Sequence, residues 1–377
     1  MNTATFPGTD VTVSRLGFGC MRLPTMEQGD KRVIDQNYAI EMIRYAIDHG
    51  VTYIDTAYPY HGGESELVVA KALADGYREK VVLATKLPVW LVETEADLDK
   101  YLDEQLKKLN TDHIDFYLMH AMNKERLEKL RKLNYKAFLD RAVESGKIRF
   151  PAFSFHDGPE CFLEILNDYD WKMAQVQMNI LDGDEQACLS GIQAAYEKGV
   201  GIVIMEPLRG GMLAKAPKEV SDLYEAWPVK RSPVEWAFRY LYDMPAVITV
   251  LSGMSDWDQL KDNLRIFEAA EVSCMSAEEK TLMDDVKKAY LGRMKTGCTG
   301  CRYCQPCPQN VRIPDIFRSW DESLMFDQPS ILKGRMKNHI ANKEDPSQCV
   351  ECGMCEAACP QHLSIIDLLK QANDAAK

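Results

Sequence analysis

No apolar run in the chain reaches the length of a membrane-crossing helix; Ala246-Val247-Ile248-Thr249-Val250-Leu251 is only strand-sized. The first residues, Met1 to Pro7, carry neither the basic nor the apolar region of a signal peptide. Positive charge is in deficit, with 45 Lys and Arg against 57 Asp and Glu, for a net charge of -12. That balance argues against a nucleic-acid or anionic-membrane surface. Together these absences predict a cytoplasmic protein with no nucleic-acid and no membrane partner. In the cytoplasm disulfides rarely persist, so the 12 cysteines are expected as thiols or metal ligands. A complete dinucleotide fingerprint is missing as well. Leu16-Gly17-Phe18-Gly19-Cys20 supplies two glycines of G-x-G-x-x-G, and Arg22 stands where the third belongs.

What is present is a chain of 377 residues with 46% apolar content, enough for one large domain and a smaller one. Residues 8 to 22 read as a small hairpin leading into a glycine-rich first strand. Ala39, Ile40, Ile43, Ala46 and Ile47 then recur at helical spacing, with Gly50 as a C-terminal stop. From there apolar, β-branched runs near 51 to 55, 81 to 86, 114 to 119, 148 to 154, 173 to 177, 201 to 205 and 246 to 251 predict strands. Amphipathic stretches fall between them at 66 to 74, 98 to 109, 127 to 143, 161 to 166, 187 to 198 and 234 to 242. This strand-helix alternation, over about 270 residues, predicts an α/β fold, a (β/α)8 TIM barrel. A doubly wound open sheet is the alternative, disfavoured because no strand end carries the full phosphate-binding glycines.

Three of the predicted strands end in polar residues that belong together chemically. Asp55 closes one strand, with Tyr60 shortly after it; Lys86 and His120 close the next two. In a barrel the active site lies at the C-terminal strand ends. Reducing a carbonyl requires a hydride and a proton for the developing alkoxide. A tyrosine of pKa ~10 is a poor acid unless a cation is close. An ammonium at ~4 Å and an effective dielectric near 20 is worth up to ~4 kcal/mol, or about three pK units. Lys86 is therefore expected to bring Tyr60 into the working range of a general acid. Asp55 would hold Lys86, and His120 would donate to and orient the substrate oxygen. Taken singly, each of these residues also reads as a solvated loop residue or a helix cap. Tyr58 reads as packing or pocket wall, His61 and His156 as pocket or ordinary loop residues, and Cys20 as a small apolar filler.

Asp55-Thr56-Ala57 with Tyr60, Ala84-Thr85-Lys86 and Leu118-Met119-His120 resemble the catalytic signature of the aldo-keto reductases. Gly63-Glu64-Ser65-Glu66, Gly146-Lys147-Ile148-Arg149 and Glu206-Pro207-Leu208-Arg209-Gly210-Gly211 match in the same order, and the resemblance covers roughly residues 8 to 290. It implies nicotinamide contacts at Ser154 and Gln175, and phosphate contacts at Pro207, Leu208, Arg209, Gly210, Ser255 and Asn263. Where NADPH-dependent members carry a Lys and an Arg for the adenosine 2′-phosphate, this chain has Gly253 and Gln259. Losing two cations removes charge-assisted contacts to that phosphate. NADPH preference is thus open, with NADH or FMN as alternatives. Pro151-Ala152 also departs from the family's usual Ile-Gly.

After residue 275 the character changes. A helix is predicted over 277 to 291, followed by two cysteine runs. Cys298, Cys301, Cys304 and Cys307-Pro308 form the first; Cys349, Cys352, Cys355 and Cys359-Pro360 form the second. The second has the spacing of a bacterial ferredoxin run, in which the fourth cysteine serves the other cluster. Two [4Fe-4S] clusters follow, one on Cys298, Cys301, Cys304 and Cys359, the other on Cys349, Cys352, Cys355 and Cys307. Two zinc sites are the alternative. The segment between the runs is helix-like and resembles an α-helical ferredoxin domain, so the whole is similar to the ferredoxin-fused aldo-keto reductases of bacteria and archaea. The predicted domains are a barrel over 1 to 290 and a small, mostly α-helical two-cluster domain over 291 to 377. The first functional reading is an oxidoreductase acting on a small carbonyl or alcohol with NAD(P)H, passing electrons to a one-electron carrier such as ferredoxin. The second is an FMN-containing electron-transfer enzyme, and the third a redox-sensing regulatory subunit.

Overall fold

The structure is a computed structural model describing residues 1–377. Two compact units divide the chain: residues 1–210 with 234–276, and residues 211–233 with 277–377.

The first unit is a closed barrel of eight parallel strands. They are β1 (Leu16–Gly19), β2 (Tyr53–Asp55), β3 (Val82–Leu87), β4 (Ile114–Met122), β5 (Ile148–Phe155), β6 (Met173–Gln177), β7 (Gly201–Met205) and β8 (Val247–Ser252). β8 pairs with β1 and β5 with β6, which closes the ring. Strands covered on both faces need continuous apolar sequence rather than alternation, and Gly201-Ile202-Val203-Ile204 in β7 is fully buried. Register sets the polar ends side by side. Asp55 lies opposite Gly19 and Ala84, Lys86 opposite Leu118, and Gln175 opposite Ser154.

The other end of the barrel is closed by a hairpin of Thr3–Thr5 against Thr12–Ser14. It begins earlier than the stretch from residue 8 that the sequence suggested. Its turn places the Phe6 ring 4.5 Å from that of Phe116. A β-carbon on Gly201 would sit 2.5 Å from Phe6, so this position admits only glycine without a shift of the plug.

Around the strands, the helix expected over 127 to 143 is two helices, Lys124–Lys132 and Tyr135–Glu144. Asn134 between them is left-handed, with φ 48°, a conformation asparagine tolerates better than most residues. Helical periodicity runs through the break, which is why the sequence pattern did not reveal it. A hairpin of Thr25–Gln28 with Lys31–Ile34 and a helix over Trp257–Glu268 complete the unit.

The second unit is helical. Lys218–Ala226, Ala277–Leu291, Ile313–Met325, Pro329–Ala341 and Ile365–Ala375 are its longer helices. Ile316, Phe317, Trp320, Leu332 and Leu369 form its apolar core. Buried Asp321 accepts from the backbone amides of Lys295 and Thr296 at 2.8 and 3.0 Å, which fixes the chain just before the first cysteine run.

Candidate active site and cysteine clusters

Lys86 is 1% exposed and Asp55 2%. Lys86 Nζ donates to both oxygens of Asp55, at 2.7 and 2.8 Å, and to the carbonyl of Thr56 at 2.8 Å. Burial disfavours the ammonium, but Asp55 and Tyr60 outweigh it, so the Lys86 pKa lies above its ordinary value. The ion pair is therefore a fixed, charged unit. A buried charge pair is retained only where further hydrogen bonds complete it, and the Thr56 carbonyl does so here.

Tyr60 lies in the loop after β2. Its ring centroid is 5.0 Å from Lys86 Nζ and 6.1 Å from the His120 ring. Tyr60, Lys86, Asp55 and His120 thus come together at the C-terminal ends of β2, β3 and β4. One expectation needs correction. Burial raises the Tyr60 pKa; Lys86 pulls it down, Asp55 pushes it up, and the balance stays above 10.0. Desolvation of the phenol outweighs the pull of Lys86. A phenol of raised pKa can still protonate an alkoxide, which is a stronger base than a phenolate.

His120 is held well below its ordinary pKa by burial, then by Lys86, His156 and Arg126. Its Nδ1 is buried without a hydrogen-bond partner. A bare lone pair is better tolerated there than an orphaned N–H, which places the proton on Nε2, free to donate.

Behind the ion pair lies a buried polar layer. Ser65 Oγ and Thr56 Oγ1 are 2.9 Å apart. The neighbouring Glu66, 0% exposed, accepts from Thr85 at 2.8 Å and from Gln105 Nε2 at 2.6 Å. Gln105 also donates to the Lys86 carbonyl at 3.1 Å and accepts from Tyr117 at 2.8 Å. Two adjacent residues thus hold the neighbours of both Asp55 and Lys86. The sequence offered Gly63-Glu64-Ser65-Glu66 only as a pattern; Gln105 sits in an amphipathic helix and gave no signal.

The remaining pocket candidates separate. His61 Nε2 accepts from the Leu23 amide at 3.2 Å, and Tyr58 donates to Glu104 at 3.0 Å, so both are engaged in local structure. Cys20 is fully buried and burial raises its thiol pKa, in keeping with a filler. Trp90, which the sequence reading did not single out, lies 5.1 Å from the His120 ring.

Of the dinucleotide candidates, Ser154 and Gln175 are buried side by side. Ser154 Oγ accepts from the Ala121 amide at 2.7 Å. Gln175 Oε1 has no partner, an acceptor suited to the amide N–H of a nicotinamide. Pro207, Leu208, Arg209 and Gly210 form the loop after β7, where Arg209 pairs with Asp182 at 3.0 Å. Asn263 donates to Ser252 at 2.9 Å. Asp256 caps the helix that carries Gln259, accepting from the Gln259 backbone amide at 2.9 Å, and Gln259 Oε1 accepts from the Ser255 backbone amide at 3.0 Å. A β-carbon on Gly253 would lie 3.1 Å from the Arg22 side chain.

In the second unit, Cys307 lines a cavity of about 230 Å³ with Cys349, Cys352 and Cys355. Cys359 lines a neighbouring cleft with Cys298, Cys301 and Cys304, and Cys304 borders both. Each run's last cysteine is thus grouped with the other run. Zinc requires thiolates ~2.3 Å from one centre. Thiolates spread around a cavity fit a multi-iron cluster better.

Residues 15–281 match the aldo/keto reductase family, and residues 297–364 match the 4Fe-4S dicluster domain. An uncharacterised oxidoreductase of Bacillus subtilis, YqkF, is 25% identical over 311 residues, covering 74% of this chain and 95% of its own. The holo form of the aldo-keto reductase AKR11C1 of Bacillus halodurans superposes with a TM-score of 0.64 at 28% identity, over 76% of this chain and 96% of that one. A Klebsiella pneumoniae aldo/keto reductase solved with NADP and acetate shares the fold, with TM-score 0.61 and 21% identity over 76% of this chain and 96% of its own. Eight parallel strands, the polar groups at their C-terminal ends and the family match over most of the chain lead to one conclusion: the protein belongs to the aldo/keto reductase family and is an oxidoreductase with a C-terminal 4Fe-4S dicluster domain.

Proposed function

We propose that the barrel, read as residues 1 to 290, reduces a small carbonyl compound, or oxidises the corresponding alcohol, with a nicotinamide dinucleotide. The observation that carries this reading is the buried Lys86–Asp55 pair beneath Tyr60. A bound nicotinamide supplies or accepts the hydride. Tyr60 gives its proton to the carbonyl oxygen as that oxygen gains negative charge. Lys86 favours the phenolate left behind, Asp55 keeps Lys86 charged and in place, and neutral His120 donates from Nε2 to the same oxygen. Ser154 and Gln175 would hold the nicotinamide amide, with Pro207, Leu208, Arg209, Gly210, Ser255 and Asn263 along the phosphates. Gly253 and Gln259 leave the 2′-phosphate position without its usual cations, so NADH suits these residues at least as well as NADPH.

In the segment 291 to 377 we assign one [4Fe-4S] cluster to Cys298, Cys301, Cys304 and Cys359 and the other to Cys307, Cys349, Cys352 and Cys355. Such clusters carry single electrons, and a one-electron carrier protein is the corresponding partner. The family found for the barrel lends no support to FMN there, and the regulatory-subunit reading leaves the complete tetrad without a use. A cytoplasmic location remains the expectation.

The test is Tyr60→Phe. Loss of a general acid lowers kcat by roughly 10²–10⁴ while the dinucleotide dissociation constant stays within error. A variant that keeps full carbonyl-reducing activity would refute the assignment.

A further inference from the structure

Arg126 stands in the first turn of the Lys124–Lys132 helix that follows β4, within a run of charged residues that reads as an ordinary solvated face. The structure gives it a different setting. Its guanidinium is half-buried, lies 5.4 Å from the centroid of the Trp90 ring, and donates from Nη1 to the carbonyl of Ala121, the residue after His120. It makes no ion pair, in contrast to Lys124 and Arg131 on the same helix, which bind Glu164.

The surroundings are built rather than loose. Lys129, one turn along the helix, donates to the carbonyls of Val89 and Trp90 at 3.1 and 3.4 Å. This ties the helix that carries Arg126 to the segment that carries Trp90. Ala121 is held in a left-handed conformation, φ 52°, with its amide donating to Ser154 Oγ. The Trp90 ring, which Arg126 approaches, is 5.1 Å from the ring of His120. Arg126 and His156 both act on His120 electrostatically, in the sense that disfavours its protonated form. A guanidinium carries five N–H donors, and this one, with the Ala121 carbonyl and the Trp90 face as its contacts, keeps donors for a further acceptor near the ring that orients the substrate oxygen.

We propose that Arg126 is a specificity residue for an anionic substrate: the favoured carbonyl compounds carry a carboxylate that Arg126 binds while the apolar body of the molecule rests on Trp90. The inference rests on the carbonyl-reductase reading above. A guanidinium presents a planar fork of N–H donors matched to a carboxylate. Trp90, close to both His120 and Arg126, offers an apolar face for an aromatic or short aliphatic body between the carbonyl and the acid.

The experiment has a kinetic and a binding arm, both on the full chain with its clusters, purified anaerobically. Reduction of 4-carboxybenzaldehyde is compared with that of benzaldehyde and 4-methylbenzaldehyde. Binding of 4-(hydroxymethyl)benzoate is compared with that of benzyl alcohol by calorimetry in the presence of the reduced dinucleotide, with which neither alcohol reacts. A charged hydrogen bond of this kind gives roughly a 10- to 100-fold preference for the carboxylate, expressed mainly in KM. R126Q is expected to bring both ratios close to one, and R126K to restore part of each. Equal reduction of charged and neutral aldehydes by the unsubstituted protein overturns the proposal and leaves the carbonyl-reductase reading standing. So does a preference that survives in R126Q. If none of the aldehydes is reduced but the carboxylate preference in binding is present and lost in R126Q, the anion site stands and the reductase reading falls. Absence of that binding preference removes the site.

Discussion

Thr85 Oγ1 donates to Glu66 Oε1 across 2.8 Å, one residue before the lysine that anchors the active site. Glu66 Oε1 also receives Gln105, which in turn holds the Lys86 carbonyl. Glu66→Ala therefore strands two buried donors and opens a void. Each unsatisfied group costs about 1–3 kcal/mol, so a loss of roughly 2–6 kcal/mol in urea unfolding is expected. Glu66→Gln keeps an acceptor oxygen in place and should lose less than half as much. Equal losses in the two variants would show that the hydrogen bonds are not what matters.

The pH profile follows from the directions of three groups. His120 is neutral well below 6.5, Tyr60 is protonated beyond 10.0, and Lys86 is charged beyond 10.5. The ratio kcat/KM is expected to show no step near pH 6.5 from His120 and to fall only as pH rises past 10. Stability behaves differently. Below pH ~6.5 the unfolded chain takes up a proton at this histidine that the folded chain refuses. Stability then drops as pH falls, by up to about 1.4 kcal/mol per pH unit, until the folded-state pKa is reached. An acid limb in kcat/KM near 6.5 that vanishes in His120→Gln would contradict the neutral assignment.

Dinucleotide choice is open to titration. Gln259 is committed to the Asp256 cap, whose carboxylate repels a nearby phosphate. Arg265 is already paired with Asp262 and Glu235 at 2.8 and 3.0 Å. NADH is expected to bind at least as tightly as NADPH when followed by fluorescence quenching. A clear NADPH preference that Lys261→Ala abolishes would identify Lys261, 5.9 Å from the Trp257 ring, as the replacement cation.

For the clusters, Cys352→Ser removes an exposed cysteine of the second set. Iron content is expected to fall from about eight to about four per chain. Activity with an artificial one-electron donor should disappear while nicotinamide-dependent turnover in the same preparation persists. Unfolding of the helical unit, seen as lost circular dichroism, would mark the clusters as structural instead. Normal activity with every donor in a protein lacking both clusters would end the electron-path assignment.

How much of this could be read beforehand depends on the kind of signal. Buried parallel strands announce themselves as β-branched runs, and the expected strand at 173 to 177 coincides with β6. Asp55, Lys86 and His120 could be placed at one end of the barrel because each stands at the end of such a run, with Tyr60 shortly after Asp55. The dicluster domain was legible from the spacing of the two cysteine runs. Asn134 was not, because a left-handed residue leaves helical periodicity intact on both sides. Arg126 and Gln105 were hidden among charged, amphipathic helices, where sequence cannot tell a residue facing water from one turned inward. The raised pKa of Tyr60 was missed for a related reason: a cation's proximity can be guessed from strand order, but the depth of burial cannot.

The connection between β7 and β8 holds a consequence for modularity. Residues 211–233, including the Lys218–Ala226 helix, belong to the second compact unit although they interrupt the first. Within that unit Arg231 binds Glu279 at 3.0 Å and Arg293 binds Glu219, while Val220 and Tyr224 are buried. The cluster-bearing tail is therefore not a bead that can be cut off or grafted at a single junction. A chain ending at residue 276 would keep Glu219 and Arg231 but lose their partners Arg293 and Glu279. Moving the tail to another barrel would mean moving the β7–β8 connection with it, so recombination between such genes has to exchange two separated stretches at once.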